Sequence, residues 1–281
     1  MRKIKTICVV GLGLIGGSLA LAVKGKTDYT LLGIDREAEV CRAALAAGAA
    51  DAAGGPELLE RADLVVLALS PEASVSFLQE QAGRIPAGGW VTDVCGVKRT
   101  VVARCEAICT RYGLHFLGGH PMAGREVSGF ANADAHLFEG ASYILTPTES
   151  TLPELTAFLM TFAAEIGCRT ATVTSPEHHD RMIAYTSQLP HVLAGAYVKA
   201  SAAQEHSGYS AGSFRDVSRV ATVDENLWSG LFLQNGDNLC REIGGLIDRL
   251  AAYRAAIASK DEPALRALLR EGREIKTSLP K

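Results

Sequence analysis

A glycine-rich turn near the N-terminus constrains the fold of this chain more than any other stretch. Residues 9–20 read VVGLGLIGGSLA and place Gly11, Gly13 and Gly16 in the spacing G-x-G-x-x-G. A β-branched run precedes the turn and apolar residues at helical spacing follow it, so the segment predicts a strand, a tight turn and a helix. In dinucleotide-binding domains the first glycine permits the turn, the second lets the backbone approach the pyrophosphate, and the third lets the helix pack on the strand. The N–H groups at the start of that helix then face the anion.

The next predicted strand indicates which dinucleotide is bound. This strand covers residues 30–34 and is followed by Asp35, which lies 19 residues after Gly16, close to the spacing of a ribose-binding carboxylate. The carboxylate would repel a 2′-phosphate, so the pattern favours NAD over NADP, although an arginine such as Arg36 can accommodate that phosphate. The alternative interpretation is an ordinary glycine-rich turn without a ligand.

Bulk properties exclude several classes of protein. A length of 281 residues is enough for two domains, and an apolar content of 48% is enough for a sizeable core. The net charge of -3 argues against a nucleic-acid partner and against an anionic membrane surface. Seven cysteines without a C-x-x-C pair favour reduced thiols over disulfides or a zinc site. Because no membrane-length apolar run or signal peptide is evident, we expect a cytoplasmic protein without a metal centre.

Strands and helices alternate through the first part of the chain, which predicts a doubly wound parallel sheet of the Rossmann type. The predicted strands cover residues 4–10, 30–34, 62–69, 90–92, 114–117, 141–145 and 169–173. Ligands bind beyond the carboxyl ends of such strands, so the loops after residues 10, 35, 69, 93 and 118 should share one crevice. The candidate cofactor-binding residues in these loops are Gly11, Gly13, Leu14, Ile15, Gly16, Asp35, Arg36, Ser70 and Asp93.

The character of the sequence changes after Thr174. Ser175-Pro176-Glu177 is a strong helix start, and no convincing strand follows it. Helices are expected over 176–206, 224–235, 237–258 and 261–276. We therefore predict a dinucleotide-binding domain over residues 1–174 and an all-helical domain over 175–281. Long helices favour pairing with a second copy, so we expect a homodimer; a monomer with a helical cap is the alternative.

Two clusters carry candidate chemistry. His120 stands in a glycine-containing segment after the fifth strand, where the crevice should lie, and a histidine can accept the proton of an alcohol as hydride leaves its carbon. The second cluster lies on the helix that begins at Ser175. There Ser187 and His191 share a face, and Pro190 predicts a kink. We interpret residues 177–180 of that helix as a polar first turn.

Together these segments resemble the prephenate and arogenate dehydrogenase family across nearly the whole chain. The resemblance rests on the glycine turn, the loop Asp93-x-x-x-Val97-Lys98, the motif His120-Pro-Met-Ala-Gly-x-Glu126-x-Ser-Gly129, the helix from His179-Asp180 to Pro190-His191, and Asp216-x-x-Arg219 with Asn226-x-Trp228 beyond it. It implies a dinucleotide domain followed by a helical dimerisation domain. It also implies NAD-dependent oxidative decarboxylation, either of prephenate to 4-hydroxyphenylpyruvate in tyrosine biosynthesis or of arogenate to tyrosine.

The resemblance also assigns roles to individual residues. His120 corresponds to the catalytic histidine that hydrogen-bonds the ring hydroxyl of the substrate. Arg219 corresponds to the arginine that binds a carboxylate, and His191 to the histidine that lines the side-chain pocket. Glu126 resembles an acid that gates or orders that pocket, and Ser187 helps to order the helix wall.

Two positions depart from the family pattern. The family commonly has a serine, close to the catalytic histidine and the cofactor, where this chain has Gly96. Another group, such as water or the backbone, must then orient His120, and Gly96 itself becomes a candidate cofactor contact. Arg125 stands where the family often has a small or polar residue, and it either adds a cation near the substrate carboxylates or pairs with Glu126.

Two alternatives stay open from the sequence. Another two-domain NAD(P) hydroxyacid dehydrogenase would also combine such domains, but those enzymes usually carry a catalytic lysine on the linking helix, and here no lysine follows until Lys199. A nucleotide-sensing module without turnover is the second alternative, which the missing serine at Gly96 keeps open.

Overall fold

In the computed structural model, which describes residues 3–279, the N-terminal part of the chain forms an eight-stranded sheet. Its order is β3-β2-β1-β4-β5-β6-β7-β8, and every neighbouring pair is parallel except β6 and β7. This confirms the predicted Rossmann-type doubly wound sheet and adds an antiparallel pair. The strands are β1 (Thr6–Val10), β2 (Thr30–Ile34), β3 (Ala52–Gly54), β4 (Leu64–Leu67), β5 (Trp90–Asp93), β6 (His115–Pro121), β7 (Ser142–Thr146) and β8 (Thr170–Val173).

Helices connect the strands and then continue without further strands in the described chain, as predicted for the helical part. The first group is α1 (Leu14–Lys26), α2 (Ala38–Ala46), α3 (Pro71–Gln81), α4 (Arg99–Arg111) and α5 (Pro153–Glu165). The second group is α6 (Pro176–Ile183), α7 (Leu189–Tyr197), α8 (Gly212–Ser218), α9 (Glu225–Gln234), α10 (Gly236–Ala258) and α11 (Glu262–Ser278). None of the helices within residues 3–279 is both long and apolar enough to cross a membrane.

The core lies on both faces of the sheet. Side chains alternate along β1, so Ile7 and Val9 join one cluster of buried residues, whereas Cys8 and Val10 join the other. All four are at most 2% exposed. A strand that is buried on both faces explains the continuous apolar run that precedes the glycine turn.

Two strands differ from the sequence-based expectation. β3 is not among the predicted strands, since Ala-Ala-Gly has no strand-forming side chain, yet parallel pairing of its residues with Leu32–Ile34 of β2 holds it in the sheet. β6 runs to Pro121 rather than ending at residue 117. Antiparallel pairing of His120 with Ile144 on β7 extends it, so His120 lies on a strand and not in a loop.

The helix around Pro190 contains a wider turn, and the kink itself stays a prediction. Residues Ala184–Gln188 adopt π-helical geometry between α6 and α7. Pro190 has no N–H to donate to the carbonyl of Thr186, and a wider turn leaves room for the proline ring. The helix that we expected over 176–206 is therefore interrupted here and again after Tyr197.

The chain packs as two compact units, one that ends at Asn235 and one that begins at Gly236. The first unit contains the sheet together with α6–α9, and the second consists of α10 and α11. The strands end at Val173, just before the predicted domain boundary after residue 174, which stays a prediction.

Candidate functional site

A cavity of about 740 Å³ opens beyond the carboxyl ends of β1, β4, β5 and β6. The glycine turn, the loops after β4 and β5, the segment after His120, and the helices α7 and α9 form its walls. Of the loops that we expected to share one crevice, the loop after β2 does not line this cavity. The predicted site residues on its surface are Gly13, Leu14, Ile15, Ser70, Gly96, His120, Arg125, Glu126, Ser187 and His191.

The glycine turn fits a bound pyrophosphate. Gly11 has a φ of 88°, and a Cβ on it would lie 2.6 Å from the carbonyl oxygen of Ala68. A Cβ on Gly16 would lie 1.8 Å from the carbonyl oxygen of Gly11, so helix and strand pack too closely for any side chain. No atom lies within 4 Å of a Cβ on Gly13, which borders the cavity. The first and third glycines therefore hold the turn together, and the second leaves room for a ligand.

The residues after β2 support the turn. Asp35 accepts hydrogen bonds from the backbone N–H of Leu12 at 2.8 Å and of Glu37 at 3.0 Å. Arg36 is exposed and pairs with Glu37 at 3.3 Å. The structure thus places Asp35 beside the glycine turn and directs Arg36 to solvent.

A fully buried ion pair holds the loop after β5. Lys98 pairs with Asp93, and neither side chain is exposed. Asp93 also accepts from the backbone N–H groups of Cys95 at 2.9 Å and Gly119 at 3.2 Å, while Lys98 donates to the carbonyl oxygen of Gly119 at 2.6 Å. Asp93 does not line the cavity, but it ties the loop that carries Gly96 to the strand that carries His120.

His120 is held by a second histidine. Its Nδ1 lies 2.9 Å from Nε2 of His179, whose own Nδ1 lies 2.7 Å from Oδ1 of Asp180. Asp180 also accepts from the backbone N–H groups of Lys98 at 2.7 Å and Arg99 at 2.9 Å, at the start of α4. The side chain of His179 therefore contacts and orients His120 in this chain, which has Gly96 where the family commonly has a serine.

The interpretation of residues 177–180 as a polar first turn is wrong for His179 and Asp180, each of which is only 1% exposed. A signal for their burial exists in the sequence. They lie four residues before Ile183 and Ala184, which are buried on the same helix face.

The protonation states follow from burial and from these contacts. Burial lowers the pKa of His120 well below its ordinary value of 6.5, and the neighbouring His179 and Lys98 lower it further. Burial also lowers the pKa of His179, against the opposing effect of its hydrogen bond to Asp180. Burial alone would raise the pKa of the Asp180 carboxyl, but the hydrogen bonds from His179, Arg99 and Lys98 outweigh burial and lower it. Two neutral histidines and one carboxylate result.

The far wall of the cavity carries the residues expected to bind substrate. Glu126 pairs with Arg219 at 3.2 Å, and both side chains are substantially exposed. His191 lines the cavity, with its ring centroid 3.9 Å from that of Trp228 and its Nδ1 2.7 Å from the carbonyl oxygen of Val220. Arg219 does not itself line the cavity, although its partner Glu126 does.

Arg125 turns away from its neighbour. It donates to the carbonyl oxygen of Asn132 at 2.7 Å and lies 3.7 Å from Asp134, so it does not pair with Glu126. Within residues 3–279, no group of three or more histidine, cysteine or acidic side chains is arranged to hold a metal ion.

A glycine turn and a neutral histidine on one cavity define a nucleotide-dependent oxidoreductase. The nucleotide-binding domain model of prephenate dehydrogenase matches residues 19–172, and the dimerization domain model of the same family matches residues 175–271. The chain belongs to the prephenate dehydrogenase family, which confirms the resemblance seen in the sequence.

Similar prephenate and arogenate dehydrogenases support this membership. A prephenate dehydrogenase of Lactococcus lactis is 32% identical over 98% of this chain and 77% of its own length. A crystal structure of prephenate dehydrogenase from A. aeolicus, in complex with hydroxyphenyl propionate and NAD+, has a TM-score of 0.88 and 27% identity over 99% of both chains. A Synechocystis arogenate dehydrogenase structure has a TM-score of 0.82 and 28% identity over 97% of this chain and 99% of its own.

The three glycines predict distinct effects of substitution. Gly13→Ala should leave folding intact and weaken NAD+ binding, because its methyl group enters only the open space beside the cavity. Gly16→Ala should destabilise the fold, because its methyl group meets the backbone of Gly11. Calorimetric titration with NAD+ and thermal unfolding measure the two effects. Gly25→Ala is the control, because Gly25 lies on α1 like Gly16 and a Cβ there has no neighbour within 4 Å; it should weaken neither NAD+ binding nor the fold. Equal NAD+ affinity in wild type and Gly13→Ala would contradict the assignment of Gly13 to the cofactor site.

His120 and His179 predict a loss of stability in acid. In the unfolded chain a histidine binds a proton near its ordinary pKa of 6.5, whereas folded His120 and His179 bind one only at lower pH. As the pH falls below 6.5 the unfolded chain therefore binds more protons, and the free energy of unfolding decreases. Urea unfolding at about pH 7.5 and about pH 5.5 measures this decrease, which should be smaller in His179→Gln. His178→Gln, at an exposed neighbouring position, should keep the full decrease; an unchanged decrease in His179→Gln would show that His179 does not contribute.

Proposed function

We propose that this chain is an NAD-dependent prephenate dehydrogenase that converts prephenate to 4-hydroxyphenylpyruvate and carbon dioxide in tyrosine biosynthesis. The observation that carries the proposal is the position of His120, a half-buried, neutral histidine on the same cavity as the glycine turn. The relatives with this activity, and the dinucleotide in one of their structures, support the choice of substrate and of NAD.

His120 supplies the acceptor that the substrate hydroxyl requires. The glycine turn would hold NAD+, which would supply the acceptor for the hydride from the carbon that carries this hydroxyl. As the hydride leaves, the O–H group becomes acidic, and the unprotonated ring nitrogen of His120 accepts its hydrogen bond and stabilises the developing positive charge. The bond to the ring carboxylate then breaks, its electron pair completes the aromatic ring, and carbon dioxide leaves. The gain in aromaticity makes the reaction effectively irreversible.

Arg219 and Glu126 provide an anion-binding element that can exchange partners. An exposed ion pair contributes only about 0–1 kcal/mol, so the guanidinium of Arg219 gives up Glu126 for a substrate carboxylate at little cost. Paired N–H donors match a carboxylate. Ser187 and His191 form the adjoining wall and face the side chain of the substrate.

Arogenate is the second candidate substrate, because an arogenate dehydrogenase is among the similar structures. The two substrates differ only by a keto or an amino group on the side chain. Parallel measurements of NAD+ reduction with prephenate and with arogenate distinguish them: we expect prephenate to be preferred, and activity with neither, despite NAD+ binding, would favour a binding module.

Two substitutions separate chemistry from substrate binding. His120→Asn should retain NAD+ affinity and lower kcat by about 10²–10⁴-fold, because it removes one general base. Arg219→Ala should chiefly raise KM for prephenate. Arg84→Ala is the matched control for the latter, since Arg84 forms a comparable exposed pair with Glu60 at 3.2 Å away from the cavity. Unchanged kcat in His120→Asn would remove His120 from the mechanism, and an effect of Arg219→Ala on kcat alone would contradict an anchoring role.

We further propose a cytoplasmic homodimer that pairs through the helical part of the chain. The match to a dimerization domain supports this. So do the large apolar side chains that α10 and α11 leave more than half exposed, namely Ile247, Leu250, Ile257, Leu269 and Ile275.

Charge on this apolar surface should prevent pairing. Ile247→Glu combined with Leu250→Glu is expected to halve the mass in solution, measured by light scattering, because the carboxylates cannot be buried unpaired. Leu45→Glu is the matched control, since Leu45 is an exposed leucine of α2. A wild-type mass of one chain, 29.7 kDa, would contradict the dimer.

A further inference from the structure

We propose that His179 and Asp180 are positioning residues that hold His120 in the tautomer with its proton on Nδ1, so that Nε2 faces the cavity as a proton acceptor. The effect that we infer on catalysis rests on the proposed function. Its geometric part concerns the protein alone and can be tested without substrate.

The tautomer of His120 follows from the hydrogen bonds that link Asp180, His179 and His120, beginning at Asp180. A carboxylate only accepts hydrogen bonds, so Nδ1 of His179, 2.7 Å from Asp180, must carry the proton. A neutral imidazole has one N–H, which leaves Nε2 of His179 as an acceptor. The partner of that acceptor at 2.9 Å is Nδ1 of His120, which must therefore donate. Nε2 of His120 is left without a proton.

Asp180 can dictate this order because its own orientation is fixed. It accepts the backbone N–H groups of Lys98 and Arg99 at the first turn of α4, and Nε of Arg99 lies 3.4 Å from Oδ2. Donors at a helix N-terminus stabilise a negative charge. The carboxylate that orders the two rings is therefore locked to a helix that packs on the sheet.

The charged groups around His120 favour the neutral ring. Lys98, buried and donating to the carbonyl oxygen of Gly119, lies beside the strand that carries His120. Its charge is balanced by Asp93 from β5, and Asp180 from α6 is separated from His120 by the ring of His179. Leu231 of α9 also lines the cavity and adds no charge, whereas the charged lining residues Arg125, Glu126 and Asp224 lie on the segment after β6 and at the start of α9.

Gly96 makes this support necessary in the present chain. A Cβ on Gly96 would lie 4.0 Å from Nε2 of His120, so a serine here would bring a hydroxyl within reach of that nitrogen. Glycine brings none, and the hydrogen bond of His120 that the structure shows is the one made by Nδ1. The ring is thus oriented from its Nδ1 side by His179, and its Nε2 side stays open to a ligand.

Nitrogen NMR of the full-length protein tests the tautomer directly. In protein labelled with ¹⁵N-histidine, two-bond ¹H–¹⁵N spectra distinguish protonated from unprotonated ring nitrogens, and His120→Asn identifies the His120 signals. We expect Nδ1–H and an unprotonated Nε2 for His120 in the wild type. A proton on Nε2 would overturn the proposal, even if no His179 variant folds.

Variants of His179 test the consequence for the reaction. The side-chain oxygen of His179→Gln can still accept the proton on Nδ1 of His120, whereas His179→Leu offers no acceptor. By comparison with other orienting side chains, we expect His179→Leu to lower kcat about 10–100-fold with little change in KM. The same variant should populate both tautomers of His120. His179→Gln should keep most of the wild-type kcat and most of the Nδ1–H tautomer. Retention of a single tautomer and of full kcat in His179→Leu would overturn the positioning role.

The adjacent histidine provides the control. His178 is exposed and contacts Arg181 at 2.6 Å, so His178→Leu should leave kcat and the His120 spectrum unchanged. The wild type could show the expected tautomer and yet fail to reduce NAD+ with either prephenate or arogenate. In that case the proposed function fails, while the assignment of the tautomer stands.

Discussion

The buried pair of Asp93 and Lys98 is the interaction on which the site depends. Neither side chain reaches solvent, and both also bond to the backbone of Gly119, next to His120. Removal of one partner from a buried pair costs about 3–5 kcal/mol, whereas replacement of both by apolar residues is often neutral. The role of the pair is therefore to align neighbouring segments and not to stabilise the fold. It holds together the end of β5, the start of α4 and the end of β6. Lys98 also connects this alignment to α6, because its backbone N–H donates a hydrogen bond to the carboxylate of Asp180.

This hydrogen bond connects the sheet to the helices that follow β8. The sheet supplies the glycine turn and His120, and the helices after β8 supply His179, Asp180, Ser187 and His191. The bond between His120 and His179 spans the two. The predicted boundary after residue 174 passes between His120 and His179, although both residues lie in the compact unit that contains the sheet and α6–α9.

Much of this architecture could be predicted because it depends on local patterns. The glycine turn, the alternation of strands and helices, and the helix start at Ser175 all follow from neighbouring residues. β3 and the end of β6 could not be predicted, because Ala52–Gly54 and Gly118–Pro121 become strands only through pairing with β2 and β7. His179 and Asp180 were misjudged for a similar reason: His120 on β6, which contacts His179, and the start of α4, which contacts Asp180, are distant in sequence. Arg125 likewise finds its partners beyond its neighbour Glu126.

The pH dependence of kcat/KM for NAD+ reduction with prephenate tests the central claim most directly, namely that a neutral His120 accepts the hydrogen bond of the substrate hydroxyl. Because burial, His179 and Lys98 lower the pKa of His120 well below 6.5, we predict that kcat/KM stays level as the pH falls to 6.5 and declines only at lower pH. A decline centred at or above pH 6.5, or a rate that rises as the histidine is protonated, would contradict the account.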